Sequence, residues 1–197
     1  LSTESSLWHE EWFYPTAADR HDQGVFTIDA HKAGTGDFNG DGHQDMMISW
    51  VVFPHVLARP PIAPTVLLNE SGTLQVSDTI WSSQPPSRQF AYHVGVGDFN
   101  QDGSDDAVLA SGGIIKRNFD GSYDNTWERI PLMVSQSGQL ADFSNRIAGQ
   151  ESEVLSTFTF AHDLSLGDVN GDGILDFYQG RHLFIGDGSG GFTPRED

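Results

Sequence analysis

The chain contains no cysteine, and its 10 basic residues are far outnumbered by 28 acidic ones. The missing thiols exclude disulfides, zinc–thiolate sites and thiol catalysis. The formal charge of −18 argues against nucleic acid as a partner. No apolar run reaches the roughly 18 residues of a membrane span, and no stretch is typical of a long amphipathic helix. We therefore expect neither nucleic acid binding nor membrane insertion.

Three copies of one acidic nonapeptide are the strongest positive signal. They read DFNGDGHQD at residues 37–45, DFNQDGSDD at 98–106 and DVNGDGILD at 168–176. Each copy has Asp at positions 1, 5 and 9, Asn at position 3 and Gly at position 6. Oxygen-bearing side chains on alternate residues of a tight loop are what Ca²⁺ binds, and the Gly allows the sharp turn. The pattern predicts a repeat protein with a cation in each loop.

The spacing also predicts the ligands of each ion, which are side-chain oxygens at positions 1, 3, 5 and 9 and the backbone carbonyl at position 7. Three carboxylates and no soft ligand favour Ca²⁺ over zinc or copper. The predicted ligands are Asp37, Asn39, Asp41, His43 and Asp45 in loop 1, Asp98, Asn100, Asp102, Ser104 and Asp106 in loop 2, and Asp168, Asn170, Asp172, Ile174 and Asp176 in loop 3. We predict three calcium sites and no other cofactor.

Two other interpretations of the nonapeptide are open. An EF-hand or dockerin loop shares its beginning, but needs a carboxylate at position 12 and flanking helices. Position 12 is Ile48, Leu109 and Gln179 in the three copies, which contradicts that assignment. A hairpin turn without metal is the second alternative. Such a turn would not require Asp at positions 1, 5 and 9 in every copy.

The sequence around each loop predicts short strands. A β-prone run follows each loop, and a further pair of such runs joined by a Ser-Gly turn or its equivalent comes next. Four antiparallel strands repeated in this way predict an all-β fold made of β-propeller blades, each with a calcium loop. The predicted parts are an N-terminal half-blade or extension (1–30), repeat 1 (31–78), repeat 2 (79–143), a connection (144–158) and repeat 3 (159–197), in one structural domain.

With its Asp-x-Asn-x-Asp-Gly-x-x-Asp loops, the chain resembles FG-GAP or VCBS repeat proteins. Such repeats build the propeller of integrin α-subunits and of many secreted bacterial proteins, so the resemblance implies a calcium-binding propeller of extracellular, bacterial origin. The integrin-like Phe-Gly and Gly-Ala-Pro tripeptides are absent, which counts against integrin-type ligand binding. Three repeats are fewer than the four to eight or so blades of a propeller. We therefore expect a partial propeller, completed by further blades of a longer chain or by self-association.

His31, Tyr92 and His162 occupy the same offset, six residues before the first Asp of each loop. In a propeller they would lie near the start of the innermost strands. Some propeller-shaped polysaccharide lyases are similar in plan and use calcium with His, Tyr or Arg as base and acid. We expect the three residues only to pack or to cap, and we assign no catalytic residue. The leading prediction is a non-catalytic binding or adhesion module for carbohydrate or protein; the alternative is part of a secreted, calcium-dependent polysaccharide lyase or hydrolase.

Overall fold

The computed structural model describes residues 27–53, 62–88, 90–112, 114–117, 123–126, 129–150 and 161–195. Over these ranges the chain consists of strands, turns and a single 3-10 turn at Ser144–Arg146, without an α-helix. The all-β prediction is confirmed. Within the described part, no helix is long and apolar enough to cross a membrane.

The strands form three antiparallel units of four strands each. Unit 1 contains β1 (Thr27–Gly36), β2 (Asp45–Phe53), β3 (Thr65–Glu70) and β4 (Thr73–Val76). Unit 2 contains β5 (Phe90–Gly97), β6 (Asp106–Gly112), β9 (Leu132–Gln136) and β10 (Gln139–Asp142), and between β6 and β9 lies a hairpin of β7 (Ile114–Arg117) and β8 (Tyr123–Thr126). Unit 3 contains β11 (Leu164–Gly167), β12 (Asp176–Gln179), β13 (His182–Gly186) and β14 (Phe192–Arg195).

The first strand of unit 1 begins earlier than the sequence indicated. The predicted boundary between the N-terminal extension and repeat 1 lay between residues 30 and 31, but β1 starts at Thr27 and pairs with β2 from there. The other residues of the predicted extension lie outside the described ranges, as do residues 151–158 of the predicted connection.

The units approach one another most closely along their first strands, and units 1 and 2 are also joined by a strand pairing. Val51 of β2 pairs with Phe90 of β5, which joins units 1 and 2 into one eight-stranded sheet, while unit 3 forms its own. At Gly34 of β1, a Cβ would lie 2.6 Å from a methyl group of Val96 in β5. A Cβ at Gly95 of β5 would collide with Leu164 of β11. These glycines permit a close approach of β1, β5 and β11, which we call the inner strands.

Two buried apolar layers lie between the units. The layer between units 1 and 2 contains Phe38, Met47, Val66, Val94, Leu109 and Met133. The layer between units 2 and 3 contains Phe99, Val108, Leu132, Leu164, Phe177, Phe184 and Phe192. Side chains alternate between the two faces of a strand, so each unit contributes one face to each neighbouring layer. Complete burial of such a side chain stabilises the fold by about 1.5–3 kcal/mol.

Candidate functional site

The three acidic loops, residues 37–45, 98–106 and 168–176, fold in the same way. In loop 1 the carboxylate of Asp37 accepts hydrogen bonds from the backbone N–H groups of Asp41 and Gly42, at 3.0 and 2.8 Å. The side chain of Asn39 accepts from the N–H of Asp41 and donates to its carboxylate. The same bonds in loops 2 and 3 join Asp98, Asn100, Asp102 and Gly103, and Asp168, Asn170, Asp172 and Gly173.

The residues at positions 6 and 7 complete this geometry. The position-6 glycines Gly42, Gly103 and Gly173 have φ angles of 86°, 91° and 84°, a conformation that side chains other than glycine rarely adopt. At position 7, the N–H of Ser104 donates to the carboxylate of Asp102 at 2.9 Å, and His43 and Ile174 do the same in their loops. The predicted ligands at positions 1, 3 and 5 are therefore held together on the exposed side of each loop.

The closing aspartates at position 9 have a different environment. Asp45, Asp106 and Asp176 are at most 1% exposed. Asp106 accepts from the backbone N–H of Phe99 and of Ser135, both at 2.7 Å, so that one carboxylate joins the loop to β9. Burial raises the pKa of Asp106 to about 7, although both hydrogen bonds favour the charged form. Burial likewise raises the pKa of Asp45.

The loops fit Ca²⁺ in donor chemistry but only partly in geometry. Three carboxylates, one amide and a carbonyl per loop are the hard oxygen donors that Ca²⁺ requires. Among the described residues, however, no three His, Cys, Asp or Glu side chains converge closely enough to hold a metal ion. Both oxygens of each closing aspartate accept backbone N–H groups, which point these carboxylates toward the backbone of their own unit. The calcium sites stay a prediction.

A second cluster lies at the start of the inner strands, where His31, Tyr92 and His162 come together. The ring centroids of His31 and Tyr92 are 5.4 Å apart with an interplanar angle of 78°. Those of Tyr92 and His162 are 4.4 Å apart. The central Tyr92 is 9% exposed, and burial raises its pKa, whereas both histidines are exposed. The same offset in three repeats thus brings the three rings into contact.

Two of the three rings lie at β-bulges. The pairing of β1 with β2 shifts between Ala30 and Lys32, which makes His31 the extra residue of its strand. The pairing of β5 with β6 shifts in the same way around Tyr92. A bulge bends its strand and redirects the extra side chain, and bulges are enriched beside active sites. The sequence pattern indicated the shared offset but gave no sign of the bulges.

The residues that follow the three rings also interact. Nδ1 of His93 hydrogen-bonds Oδ1 of Asp163, and this bond lowers the pKa of Asp163, with a smaller contribution from the charge of Lys32. Sequence reasoning missed these three residues, although each directly follows a residue that it had singled out. The inner-strand cluster therefore consists of three dipeptides: His31-Lys32, Tyr92-His93 and His162-Asp163.

Two buried polar side chains lie at the same end of the sheets. Ser111 pairs with Ala91 at the start of β5, and Gln179 pairs with Leu164 at the start of β11. The hydroxyl of Ser111 and the amide of Gln179 are buried without a hydrogen-bond partner among the described residues. Unsatisfied buried polar atoms are rare and call for a water or ligand partner. The end of the sheets that carries the inner-strand cluster therefore also contains buried polar atoms that lack a partner among the described residues.

Neither a protein-family model nor a curated protein sequence matches this chain. The resemblance to FG-GAP or VCBS repeats thus stays a hypothesis. Similar solved structures include a lectin from Agrocybe aegerita that recognises non-reducing terminal N-acetylglucosamine, at 17% identity and a TM-score of 0.47, covering 83% of this chain and 36% of the lectin. The exotype rhamnogalacturonan lyase YesX is 14% identical with a TM-score of 0.43, covering 87% of this chain and 33% of the lyase.

A rhamnogalacturonan lyase from Bacillus licheniformis is 14% identical with a TM-score of 0.33, and the match covers 85% of this chain and 42% of the lyase. This chain therefore spans well under half the length of the structures that it resembles. Because these three TM-scores are below 0.5, the likenesses assign neither a fold family nor an activity.

Proposed function

We propose that this chain is a calcium-stabilised, non-catalytic extracellular module that binds carbohydrate at the inner-strand cluster. The convergence of His31, Tyr92 and His162 from three repeats supports this assignment. Aromatic faces pack on the apolar faces of sugar rings, while imidazole and phenol groups hydrogen-bond the hydroxyls. Lys32, His93 and Asp163 add charged and polar groups beside the rings.

The propeller arrangement is part of the same proposal. Three antiparallel units of four strands, with adjacent inner strands and apolar layers between them, are what a series of propeller blades requires. An end of the inner strands is then the mouth of a central channel, where loops and bulges from several blades meet. In such an arrangement a single ligand can contact residues from all three units at once.

Calcium is proposed for the loops because five positions recur in three copies with the same hydrogen bonds. When bound, Ca²⁺ would neutralise the carboxylates of positions 1 and 5, which otherwise repel each other across a short loop. Asp37, Asn39 and Asp41 and their equivalents would hold it on the exposed side. Extracellular calcium modules typically bind at about 10⁻⁴–10⁻³ M, and sites of that affinity fill only at extracellular calcium levels, so a location outside the cell is part of the proposal.

Glycan binding with matched histidine variants tests the proposal. His31→Gln and His162→Gln change two exposed side chains of the cluster, whereas His43→Gln changes an exposed histidine of loop 1 and keeps its backbone carbonyl. We expect retention on a glycan array to be lost in the first two variants and kept in the third. Equal retention in all three would place the ligand elsewhere.

A second candidate function, a polysaccharide lyase or hydrolase, is favoured by one observation. The rings of Tyr92 and His162 lie 4.4 Å apart, which places a phenol beside an imidazole, two groups that can serve as the acid and the base of such a reaction. Incubation of the same glycans with the protein distinguishes the two functions. Unsaturated or shortened products support the enzyme, and intact glycans support the binding module.

A further inference from the structure

The second residue of each acidic loop is buried in loops 1 and 2 but not in loop 3. Phe38 and Phe99 are 0% and 1% exposed, whereas Val169 is 58% exposed. Phe38 is buried in the layer between units 1 and 2, and the ring of Phe99 lies 5.4 Å from that of Phe192 in unit 3. Each buried residue therefore packs on the following unit. We call the face of a unit that is turned to the following unit its forward face.

The second strand of each unit repeats this difference. Met47 of β2, Val108 of β6 and Tyr178 of β12 each lie two residues after the closing aspartate. Met47 and Val108 are fully buried, and both belong to the layers between units. Tyr178 is 50% exposed. A large aromatic side chain thus lies open on the face where the equivalent residues of units 1 and 2 are covered.

The glycine before each loop gives a third, independent comparison. A Cβ at Gly36 would lie 2.5 Å from a methyl group of Val96, and one at Gly97 would lie 2.5 Å from a methyl group of Leu175. Each clash is with the following unit. A Cβ at Gly167 would meet no atom of the described residues within 4 Å. The forward face of unit 3 therefore resembles the covered forward faces of units 1 and 2, but no described residue packs on it at these three positions.

The side chains of β1 indicate what covers the forward face of unit 3. Unit 3 has Ser165 where units 1 and 2 have Gly34 and Gly95, so a strand that brought Val or Leu to this position would collide. Unit 1 has the smaller Ala33 and Thr35 at the positions of Val94 and Val96 in unit 2 and of Leu164 and Leu166 in unit 3. Ala33 and Thr35 are both exposed. The small side chains of β1 therefore leave room for Ser165 when the two strands approach each other.

Loop 1 offers a second match to loop 3. Between units 1 and 2, the carboxylate of Asp105 accepts the N–H of Asp37 at 2.8 Å, and the N–H of Asp105 donates to the carbonyl of Asp37. Gln44, at the same loop position as Asp105, is exposed. Its amide oxygen can accept the N–H of Asp168 as Asp105 accepts that of Asp37.

We propose that the forward face of unit 3 binds β1 and loop 1 of a second copy of this chain. The rest of that face of unit 1 is already covered, because Ile48, Trp50 and Leu67 are at most 5% exposed. The contact is therefore concentrated on the inner strands and the loops. Two such head-to-tail contacts between two copies join the six units that the described residues form into a ring, within the four to eight of known propellers.

The charge of the chain sets the conditions for assembly. Each copy has a formal charge of −18, and the contact brings loop 3 of one copy against loop 1 of the other. Repulsion between the two copies is reduced by salt and by calcium bound to the loops. We therefore expect the dimer to strengthen with added calcium.

Sedimentation analysis of the full chain in calcium, from micromolar to submillimolar protein, tests the proposal. We expect a dimer that Tyr178→Glu weakens by about tenfold or more, as does Thr35→Glu on the opposite side of the contact. Val76→Glu is the control, because Val76 is a 44% exposed hydrophobic residue outside both surfaces. Circular dichroism verifies that each variant folds.

Mixing the two variants provides a further test. A mixture of Tyr178→Glu with Thr35→Glu contains one pairing in which both contacting surfaces are intact, so we expect it to associate more tightly than either variant alone. A wild-type protein that stays monomeric throughout the range overturns the proposal. So does a dimer that Val76→Glu weakens as much as Tyr178→Glu does, or assembly into species larger than a dimer.

Discussion

The ring of Tyr92 lies 4.4 Å from the ring of His162, centroid to centroid, and joins two different units of the fold. Tyr92 is the extra residue of a bulge in β5, and His162 lies just before β11. Their contact exists only while units 2 and 3 remain packed. A ligand that touches both rings therefore binds the packed arrangement and stabilises it by mass action.

Removal of the Tyr92 hydroxyl should separate binding from folding. Tyr92→Phe keeps the ring that contacts His31 and His162. We expect a several-fold loss of glycan affinity, because one hydrogen bond contributes about 1 kcal/mol, and a smaller fall in melting temperature than Tyr92→Ala causes. Calorimetric titration and a thermal melt measure the two quantities. A melting temperature that falls as far as in Tyr92→Ala, with unchanged glycan affinity, would limit Tyr92 to packing.

Three glycines at one repeat position should respond differently to alanine. Gly36→Ala places a Cβ against Val96 and the Cβ of Asp105, and Gly97→Ala places one against the flexible end of Leu175. Overpacking costs about 1–3 kcal/mol, and a backbone-proximal clash costs more than a movable methyl group. We therefore expect the stability loss to decrease from Gly36→Ala to Gly97→Ala and to be small for Gly167→Ala.

Denaturant titration at low protein concentration, where the chain is monomeric, measures this order. Gly167→Ala is the control, because no atom of the described residues lies within 4 Å of its added Cβ. Equal losses in the three variants would mean that the units do not pack through these positions.

Chelation should destabilise the protein if the loops hold calcium. A site at a hundredfold excess of ligand over its Kd contributes about 2.7 kcal/mol, and about 1 kcal/mol changes the melting temperature of a chain of this size by 2–4 °C. We expect a decrease of several degrees in EDTA, restored by calcium and not by magnesium. Asp102→Asn should remove only the part of this stabilisation that calcium in loop 2 contributes. An identical melt with and without EDTA would leave the loops as metal-free turns.

Positions 5 and 9 of the same loop should have separable roles. The carboxylate of Asp106 accepts two backbone N–H groups, and an amide in its place would turn its NH₂ group toward one of them. Asp106→Asn should cost about 1–3 kcal/mol even without calcium. Asp102 is exposed, so Asp102→Asn should leave the calcium-free protein nearly as stable as before. Denaturant titration in EDTA at pH 8, above the pKa of Asp106, compares them. Equal losses would contradict the division of roles.

The spacing of Asp, Asn and Gly residues was sufficient to locate the loops and the strands after them. β2, β6 and β12 each begin at the closing aspartate of a predicted loop. Alternating burial and turn chemistry are local properties, so a sequence records them directly. The start of β1 at Thr27 was harder to predict, because strand ends depend on pairing with residues further along the chain.

The candidate site was predictable only in part. The shared offset of His31, Tyr92 and His162 placed them on equivalent strands, and their ring contacts agree with the expectation that they pack, but the offset alone did not give the geometry of those contacts. Two of these residues, His31 and Tyr92, lie at bulges, which are set by pairing across the sheet and leave no local pattern. The change from Phe38 and Phe99 to Val169 is visible in the sequence, yet its meaning requires the packing of the units.

The closing aspartates also affect the order of folding. Each one ties its loop to the third strand of its unit, through Asn69 in unit 1, Ser135 in unit 2 and Gly186 in unit 3. These links span 24, 29 and 10 residues. Because closure entropy rises with the logarithm of chain length, the link in unit 3 forms at a cost lower by about 1 kcal/mol. Unit 3 is therefore the expected nucleus on which the other two units, with their longer links, assemble.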